Sequence, residues 1–300
     1  MVRSLITLGI LILVSLLPIS CVRKRAELGT EKNPIKLFFV PSVDAKVIED
    51  SSKKTKEYLE KETGYKFEVS IPQSYIAVVE AFGTDRADVA ALNTYGYYLA
   101  HTKYKAQARL TIVRHGSNTY QSQFIVKKGS NIKSLADFKG KKVAFVDPAS
   151  ASGYLLPLKM LRDKGVEPGE VVFAMKHDNV VSMVYNGQVE GGATFHSPPF
   201  EGKIEDARRL VKTQYPDVED KVEILQLSEP ILNDPIVFRA DLAEPIKARI
   251  TDAFIKYVKT EEGKKALKAI YSVDDFKPVT DADYQSVLSL GKLSEEIMKK

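Results

Sequence analysis

The sequence predicts an α/β protein with two lobes and a helical C-terminal section. Its 300 residues are enough for about two domains, because a domain takes roughly 150 residues. From Ile35 onward, short apolar runs alternate with segments of helical periodicity, which is typical of α/β folds with mainly parallel sheets. Apolar residues make up 44% of the chain and charged residues 28%, so we expect a folded globular protein rather than a disordered one.

The N-terminus has the pattern of an export signal. A positive charge at Arg3 precedes an apolar run from Leu5 to Leu17, which is shorter than the roughly 20 residues of a membrane span. The run leads to Cys21, the only cysteine of the chain, so an internal disulfide is excluded. This order resembles a bacterial lipoprotein signal, although Pro18 stands where that signal usually has Leu. Simple secretion and an uncleaved anchor are the alternatives.

From this pattern we predict a signal peptide over residues 1–20. Lipidation of Cys21 and a polar tether over residues 21–34 are predicted to hold the protein to a membrane. The protein would then be exported, periplasmic or at the cell surface.

The first predicted lobe covers residues 35–119 and takes in residues 230–300 at the end of the chain. Its first strand, Ile35–Val40, ends at a Pro-Ser pair, and its first helix, Asp44–Glu62, is closed by Gly64. The later strands and helices are predicted by the same alternation: Lys66–Ile71, Ser74–Phe82, Asp88–Leu92, Tyr95–Lys103 and Ala106–Val113.

The second predicted lobe covers residues 120–229. Its strands are Gln121–Val126, Lys142–Val146, Val171–Ala174, Gly191–Thr194 and Val222–Leu227. Its helices are Ser134–Phe138, Gly153–Lys164, Asn179–Asn186 and Pro199–Leu210. The Gly191–Gly192 pair lies inside a strand and indicates close packing against a neighbouring backbone.

The closing section is helical and too small to fold alone. Ile246, Ile250, Phe254 and Val258 fall at four-residue spacing on one helix face, and helices are predicted at Glu261–Ile270 and Asp281–Lys299. If this section packs on the first lobe, the chain crosses between lobes twice, near Ser117–Ser122 and Gln226–Asn233. Two crossings make a hinged clamp with a cleft between the lobes.

One turn, Pro148–Gly153, combines a buried strand, small residues and the start of a helix. The first N–H groups of a helix lack partners and the helix dipole is positive there, which suits an anion. Ser150 and Ser152 add hydroxyl donors. An ATPase is not indicated, because no GxxxxGK[ST] motif occurs. The alternative is an ordinary helix cap by Ser150 or Ser152.

Five stretches of the chain are informative as a set: Ser117–Ser122, Ser134–Pro157, Tyr185–Val189, Asn233–Val237 and Thr280–Tyr284. In this order they resemble the phosphate, phosphite and phosphonate (PhnD-type) substrate-binding proteins of ABC importers. The similarity runs from about Ile35 to Val287. It implies a type II periplasmic-binding-protein fold and a non-enzymatic receptor without a cofactor. The implied partners are a small phosphorus oxyanion and an ABC permease with its ATPase.

The resemblance also implies a set of ligand-binding residues. Asp234 would face the ligand across the cleft, where a carboxylate accepts a hydrogen bond from a P–OH group and disfavours sulfate. The alternative for Asp234 is an Asx turn before Pro235. The other implied residues are Tyr75, Tyr120, Ser150, Ala151, Ser152, Gly153 and His177, with Tyr95, His196 and Ser197 as possible pocket residues.

Two departures from the family narrow the ligand. Ala151 stands where aminoalkylphosphonate binders have a hydroxyl residue. Ser197 stands where they place a carboxylate for the substrate amine. These changes argue for phosphate, phosphite or a small alkylphosphonate rather than an aminoalkylphosphonate.

Other function classes receive little support from the sequence. The net charge of +5 results from 44 basic and 39 acidic residues. This balance does not indicate nucleic-acid binding, which would need basic residues clustered on one face. The four histidines have no metal-ligand spacing, and no nucleophile–base set is evident. Three alternatives remain: a sensory lipoprotein acting on a histidine kinase, a secreted phosphatase or transferase, and the same fold binding a sulfonate or a thiamine precursor.

Overall fold

Two mixed β-sheets organise residues 26–287, the part of the chain that this computed structural model describes. Each sheet is covered by helices, so the predicted two-lobed α/β fold is confirmed. We call the part built on the first sheet lobe 1 and the part built on the second sheet lobe 2. The predicted signal peptide, Cys21 and residues 288–300 of the last predicted helix lie outside the described residues.

The first sheet has the order β12-β4-β11-β3-β1-β2. β1 pairs in parallel with β2 and β3, whereas β11 runs antiparallel to both β3 and β4. The strand β11, which enters lobe 1 after the chain returns from lobe 2, therefore lies inside the sheet. The strands are β1 (Ile35–Phe39), β2 (Phe67–Ser70), β3 (Val89–Ala91), β4 (Gln107–Val113), β11 (Pro235–Phe238) and β12 (Asp275–Pro278).

Lobe 1 has five α-helices within the described residues: α1 (Ala45–Thr63), α2 (Tyr75–Gly83), α3 (Thr94–Tyr104), α7 (Glu244–Tyr257) and α8 (Glu261–Tyr271). Local sequence explains the ends of α1, because the Asp44 carboxylate accepts from the backbone N–H of Lys46 at 2.9 Å and Gly64 adopts a left-handed φ of 74°. Ile250 and Phe254 of α7 are buried in the core of lobe 1.

The second sheet has the order β10-β5-β8-β6-β7, and β9 also pairs with β5. Its strand β10 ends at Leu232, so the sheet extends past residue 229, where the second lobe was predicted to end. The chain passes from lobe 1 to lobe 2 between β4 and β5, and it returns between β10 and β11. The strands are β5 (Thr119–Lys127), β6 (Lys142–Phe145), β7 (Glu170–Phe173), β8 (Gly191–His196), β9 (Val222–Leu227) and β10 (Ile231–Leu232).

The α-helices of lobe 2 in the described chain are α4 (Leu156–Asp163), α5 (His177–Tyr185) and α6 (Val218–Lys221), and the 3-10 helices are Leu135–Phe138 and Ala207–Val211. The predicted helix over Pro199–Leu210 is wrong. Residues 197–206 form a loop that contains a bridge between Phe200 and Lys203 and a left-handed Glu201. The Pro198–Pro199 pair and Gly202 oppose helix formation there.

Part of the predicted tether over residues 21–34 is folded against lobe 1. The backbone N–H of Gly29 donates to Asn33 at 2.8 Å, and Lys66 donates to Gly29 at 2.8 Å. Leu28 packs against the core of lobe 1. Residues 26–34 therefore belong to the folded lobe, because an apolar side chain and backbone hydrogen bonds fix them there. Within residues 26–287, no helix is both long enough and apolar enough to cross a bilayer.

Candidate functional site

A small cavity lies between the two lobes at the carboxyl ends of β1, β3, β6 and β7, which is where ligands bind in open α/β sheets. Its volume is about 50 Å³, compared with about 10–15 Å³ for one water on the same measure. The cavity therefore has room for a ligand of a few heavy atoms. Six of the residues that we predicted for the site line it: Tyr75, Tyr120, Ser150, Ser152, His177 and Asp234.

The turn after β6 presents backbone donors at the edge of this cavity. It opens on a π-helical turn, Ala151–Leu155, in which the backbone N–H of Leu155 donates to Ser150 at 3.0 Å. The Ser150 hydroxyl accepts from the N–H of Gly153 at 3.1 Å. In the described chain, the N–H groups of Ala151 and Ser152 have no acceptor. Ser150 is thus a helix cap, and two N–H groups of the turn are left for a ligand.

Close packing fixes the position of this turn. A Cβ on Gly153 would lie 2.4 Å from Cγ2 of Val146, so only glycine fits at that place. The Asp147 carboxylate accepts from the N–H of Ala149 at 2.8 Å and from the N–H of Tyr75 in lobe 1 at 3.4 Å. Burial raises the pKa of Asp147. The turn is therefore held from both lobes.

Asp234 is paired with a residue that the sequence analysis missed. Its Oδ2 accepts from Nη2 of Arg114 at 3.1 Å, and its Oδ1 accepts from the N–H of Thr94 at 3.3 Å. Arg114 also donates to Asn233 Oδ1 at 2.6 Å and to the Tyr271 carbonyl at 2.7 Å. The Asx-turn alternative is therefore not supported, because the carboxylate's hydrogen-bond partners, Thr94 and Arg114, are both distant in sequence. The carboxylate faces the cavity with its charge balanced by Arg114.

His177 is the first residue of α5 and is 5% exposed. Its Nδ1 is buried without a hydrogen-bond partner among the described residues, and its ring lies edge-on to Phe195 with centroids 5.0 Å apart. Burial, together with the nearby charge of Arg114, lowers the pKa of His177 to about 3. The ring is therefore neutral at physiological pH and has one nitrogen available for a ligand.

Two tyrosines line the cavity, Tyr75 from lobe 1 and Tyr120 from lobe 2. Tyr75 is fully buried at the start of α2, and burial followed by the charge of Asp147 raises its pKa well above the usual range. Tyr120 lies in β5 with the Arg114 guanidinium 5.3 Å from its ring centroid. Burial and the Asp234 charge also raise the pKa of Tyr120. Both phenols are protonated and can donate hydrogen bonds to an anion.

Five predicted residues do not line the cavity. Ala151 and Gly153 are buried within the π-helical turn itself. Tyr95 is buried in α3, where it stacks on Tyr98 with centroids 5.9 Å apart. His196, at the end of β8, is buried with its Nδ1 3.2 Å from Oε1 of Gln123. Ser197 follows it and is also buried; Phe195 is the residue of this stretch that lines the cavity.

Several lining residues escaped the sequence analysis, above all Arg114 and Arg209. The only signal for Arg114 was a basic residue directly after the buried strand β4 at an interlobe crossing. Arg209 follows the loop over residues 197–206 that we predicted as helix, so its place could not be inferred. Ser42, Asn93 and Ser272 also line the cavity and bring three more polar groups to it from lobe 1.

Hydrogen bonds join the lobes on either side of the cavity. The Asn93 side-chain amide donates to the Ala149 carbonyl at 2.8 Å, and the His177 N–H donates to the Ser42 carbonyl at 3.2 Å. A shared apolar cluster, which includes Val79 of lobe 1 and Val181 of lobe 2, continues the contact. The lobes are therefore in a closed arrangement around the cavity.

Residues 37–284 match the profile of a protein family described as ABC transporter, phosphonate, periplasmic substrate-binding protein. The chain belongs to this family. It is therefore an exported substrate-binding component of an ABC transporter, and the predicted family and receptor class are confirmed. The family is one of transport proteins rather than enzymes.

Characterised relatives carry names that agree with this family. The chain is 29% identical to the phosphate-import protein PhnD of Mycolicibacterium smegmatis over 272 residues, which are 84% of this chain and 83% of the relative. It is 27% identical over 224 residues to the phosphonates-binding periplasmic protein of Escherichia coli, covering 71% of this chain and 62% of the relative.

Solved structures show the same fold. The binding component of a Pseudomonas aeruginosa ABC phosphonate transporter superposes with a TM-score of 0.76 at 21% identity and covers 87% of both chains. PhnD1 of Prochlorococcus marinus, solved with methylphosphonate, gives a TM-score of 0.72 at 20% identity, covering 86% of this chain and 97% of PhnD1.

Proposed function

We propose that this substrate-binding protein takes up a small phosphorus oxyanion without an amine: phosphate, phosphite or a small alkylphosphonate. The ligand would be held by Tyr75, Tyr120, the Ser150–Ser152 turn, His177 and Asp234, and delivered to an ABC permease driven by a separate ATPase. The observation that carries the proposal is the open helix N-terminus beside two protonated phenols in a cavity closed by both lobes.

Charge supports an anionic ligand. The ionised side chains that line the cavity are Arg114, Arg209 and Asp234, and their sum is one positive charge because His177 is neutral. A cationic amine would have no unpaired carboxylate to bind among the residues that line the cavity, since Asp234 is already bonded to Arg114. Ligands such as aminoalkylphosphonates are therefore disfavoured.

Cavity size supports a small ligand. About 50 Å³ accommodates a tetrahedral oxyanion, with or without a short alkyl group, but not a nucleotide. The apolar part of the lining, which includes Ile112, Phe195 and Ile270, excludes water and strengthens hydrogen bonds to a bound anion.

The test is a binding panel of phosphate, phosphite, methylphosphonate, aminoethylphosphonate and sulfate, measured by thermal shift and calorimetry. At 100 times the dissociation constant a ligand stabilises by about 2.7 kcal/mol, which a thermal shift detects. We expect at least one of the first three to bind and the last two to bind weakly. The proposal would be overturned if aminoethylphosphonate bound tightly, or if none of the five compounds bound.

Substitutions in the Ser150–Ser152 turn test whether the ligand binds there. Ser152→Leu should abolish binding by filling the cavity, and Ser152→Ala should weaken it by about tenfold or more, because a hydrogen bond to a charged group contributes about 1.5–3 kcal/mol. Ser134→Leu, at an exposed serine in the same lobe, is the control. Equal affinity of Ser152→Leu and the control would contradict a ligand at this turn.

The membrane anchor is also a proposal. We infer that Cys21 is lipidated after removal of residues 1–20, with the residues between Cys21 and the folded segment at 26–34 serving as a short tether. Mass spectrometry of the mature protein tests this, since a diacylglyceryl adduct on an N-terminal Cys21 is expected. A Cys21→Ala variant should be released from membranes.

A further inference from the structure

Arg209 bridges the two lobes at the edge of the cavity. It lies on the 3-10 helix Ala207–Val211 of lobe 2, and its Nη2 donates to the hydroxyl of Ser272 at the end of α8 in lobe 1. Its side chain is 20% exposed, and both Arg209 and Ser272 line the cavity. The contact can exist only while the lobes are closed.

The charge of Arg209 is incompletely balanced by the protein. Its Nε is buried without a hydrogen-bond partner in the described chain, and the nearest carboxylate oxygen of Glu205 is 3.7 Å away, too far for a hydrogen bond. The same carboxylate is shared with Lys268 at 3.6 Å and with His115 at 3.9 Å. The charges of Asp206 and Asp274 also act on Arg209, but neither carboxylate accepts a hydrogen bond from it among the described residues. A guanidinium has five N–H donors, so Arg209 keeps donors for another acceptor.

Arg114 differs in this respect. Each of its three nitrogens donates to the protein: to Asn233, to Asp234 and to the Tyr271 carbonyl. The two guanidinium groups face the same cavity, and burial together with the Arg114 charge lowers the pKa of Arg209. An arginine nevertheless stays charged at any physiological pH. A dianion placed between the two groups would relieve their repulsion.

We propose that Arg209 is a specificity-determining residue that pairs with the second negative charge of the bound anion and joins the lobes through Ser272. The proposal rests on the proposed function for the identity of the ligand. For phosphate it predicts a preference for the doubly charged form, which still carries one P–OH group for Asp234. It also predicts that ligand charge stabilises the closed arrangement through the Arg209 side chain.

The experiment measures the affinity for inorganic phosphate by calorimetry from pH 6 to pH 8, a range over which the second proton of phosphate is lost. Wild-type affinity should rise with pH. Arg209→Gln should weaken binding by about tenfold or more at pH 8 and by less at pH 6, because a lost charge-assisted hydrogen bond affects the dianion most. Arg209→Lys should restore part of the pH dependence.

Arg162→Gln is the matched control, because it removes one arginine from an exposed position on α4 of the same lobe. Ser272→Ala keeps the charge and removes the bridge, so it should weaken binding while preserving the pH dependence. Parallel pH profiles for Arg209→Gln and Arg162→Gln would overturn the proposal, as would a pH-independent loss in Arg209→Gln.

A second measurement does not depend on which anion binds. Spin labels on the two lobes report the interlobe distance without ligand, and Arg209→Gln should show a larger open population than Arg162→Gln. Equal distance distributions would also overturn the proposal. If the wild type binds none of the phosphorus oxyanions, the proposed function fails, and the distance measurement still decides the role of Arg209 as a bridge.

Discussion

The effect of Asp234 on an anionic ligand depends on its ion pair with Arg114. The sequence predicted an isolated carboxylate that would repel a fully ionised anion. Arg114 balances that charge, yet only Oδ2 is bonded to it, and Oδ1 makes one long bond of 3.3 Å to Thr94. A carboxylate accepts about four hydrogen bonds, so Asp234 retains capacity for the P–OH group of a protonated oxyanion.

We expect Asp234→Asn to reduce discrimination against sulfate. The amide removes the negative charge, leaves Arg114 without its counter-ion and supplies a donor to a fully ionised oxygen. The ratio of the sulfate to the phosphate dissociation constant should fall by about tenfold or more, for a change of about 1.4 kcal/mol or more. Calorimetry with both anions measures it, with Asp241→Asn at an exposed carboxylate as control. Unchanged selectivity would exclude Asp234 from ligand recognition.

His177 links stability to pH. Its pKa is about 3 in the folded protein and about 6.5 in an unfolded chain, so the unfolded state binds the extra proton between these values. Stability is therefore lost as the pH falls from about 6.5 towards 3, by about 2 kcal/mol at pH 5 from this residue alone. His177→Gln should flatten that part of the unfolding profile, measured by urea titration from pH 7 to pH 5. A slope equal to that of the wild type would contradict a neutral buried ring.

At the scale of elements, sequence patterns predicted most strands and helices because periodicity reports local burial. The Gly191–Gly192 prediction is confirmed: a Cβ on Gly192 would lie 2.5 Å from Val180 and 2.9 Å from the Ala144 carbonyl. The helix after the anion turn was predicted to begin at Gly153, whereas it begins at Ala151 in π geometry. Composition alone does not distinguish a π turn from a loop.

The site was only partly predictable for a related reason. Ser150 and Ser152 lie in one turn whose local pattern pointed to them, whereas His177 was expected only through the resemblance to the PhnD-type proteins. Arg114 and Arg209 act through partners distant in sequence or in the other lobe. Their roles depend on how the lobes close, which no local pattern encodes.

Gly153→Ala tests the anion turn as an element. The added methyl would meet Cγ2 and Cβ of the fully buried Val146, so the turn must shift away from β6. We expect a loss of about 1–3 kcal/mol in stability, together with weaker ligand binding because the free N–H groups move. Urea unfolding and calorimetry measure the two effects. Wild-type values for both would show that the turn is not held by this contact.

At the scale of the whole molecule, closure depends on a few polar contacts between large lobes. Asn93 is the clearest of them, since its amide donates to Ala149 across the cleft and its Oδ1 caps α3 by accepting from Gly96 at 3.1 Å. A substitution can therefore remove the interlobe bond and keep the cap.

We expect Asn93→Ser to weaken ligand binding severalfold while leaving thermal stability almost unchanged. Serine caps a helix as well as asparagine does but is too short to bond to Ala149. A lost hydrogen bond of about 1 kcal/mol should appear as faster ligand release in stopped-flow measurements. Asn93→Ala, which also removes the cap, should lower the melting temperature in addition. Identical release rates for the wild type and Asn93→Ser would show that this bond does not support closure.

The position of β11 has a consequence for how the chain folds. All strands of lobe 2 lie between Thr119 and Leu232, so this lobe is one uninterrupted piece of sequence. Lobe 1 begins earlier but needs β11, which fills the place between β3 and β4, and β12, which ends at Pro278. Pairings over such sequence distances are slow to form. We therefore expect lobe 2 to fold first, although its synthesis begins later. Lobe 1 is completed only when β11 and β12 have been synthesised.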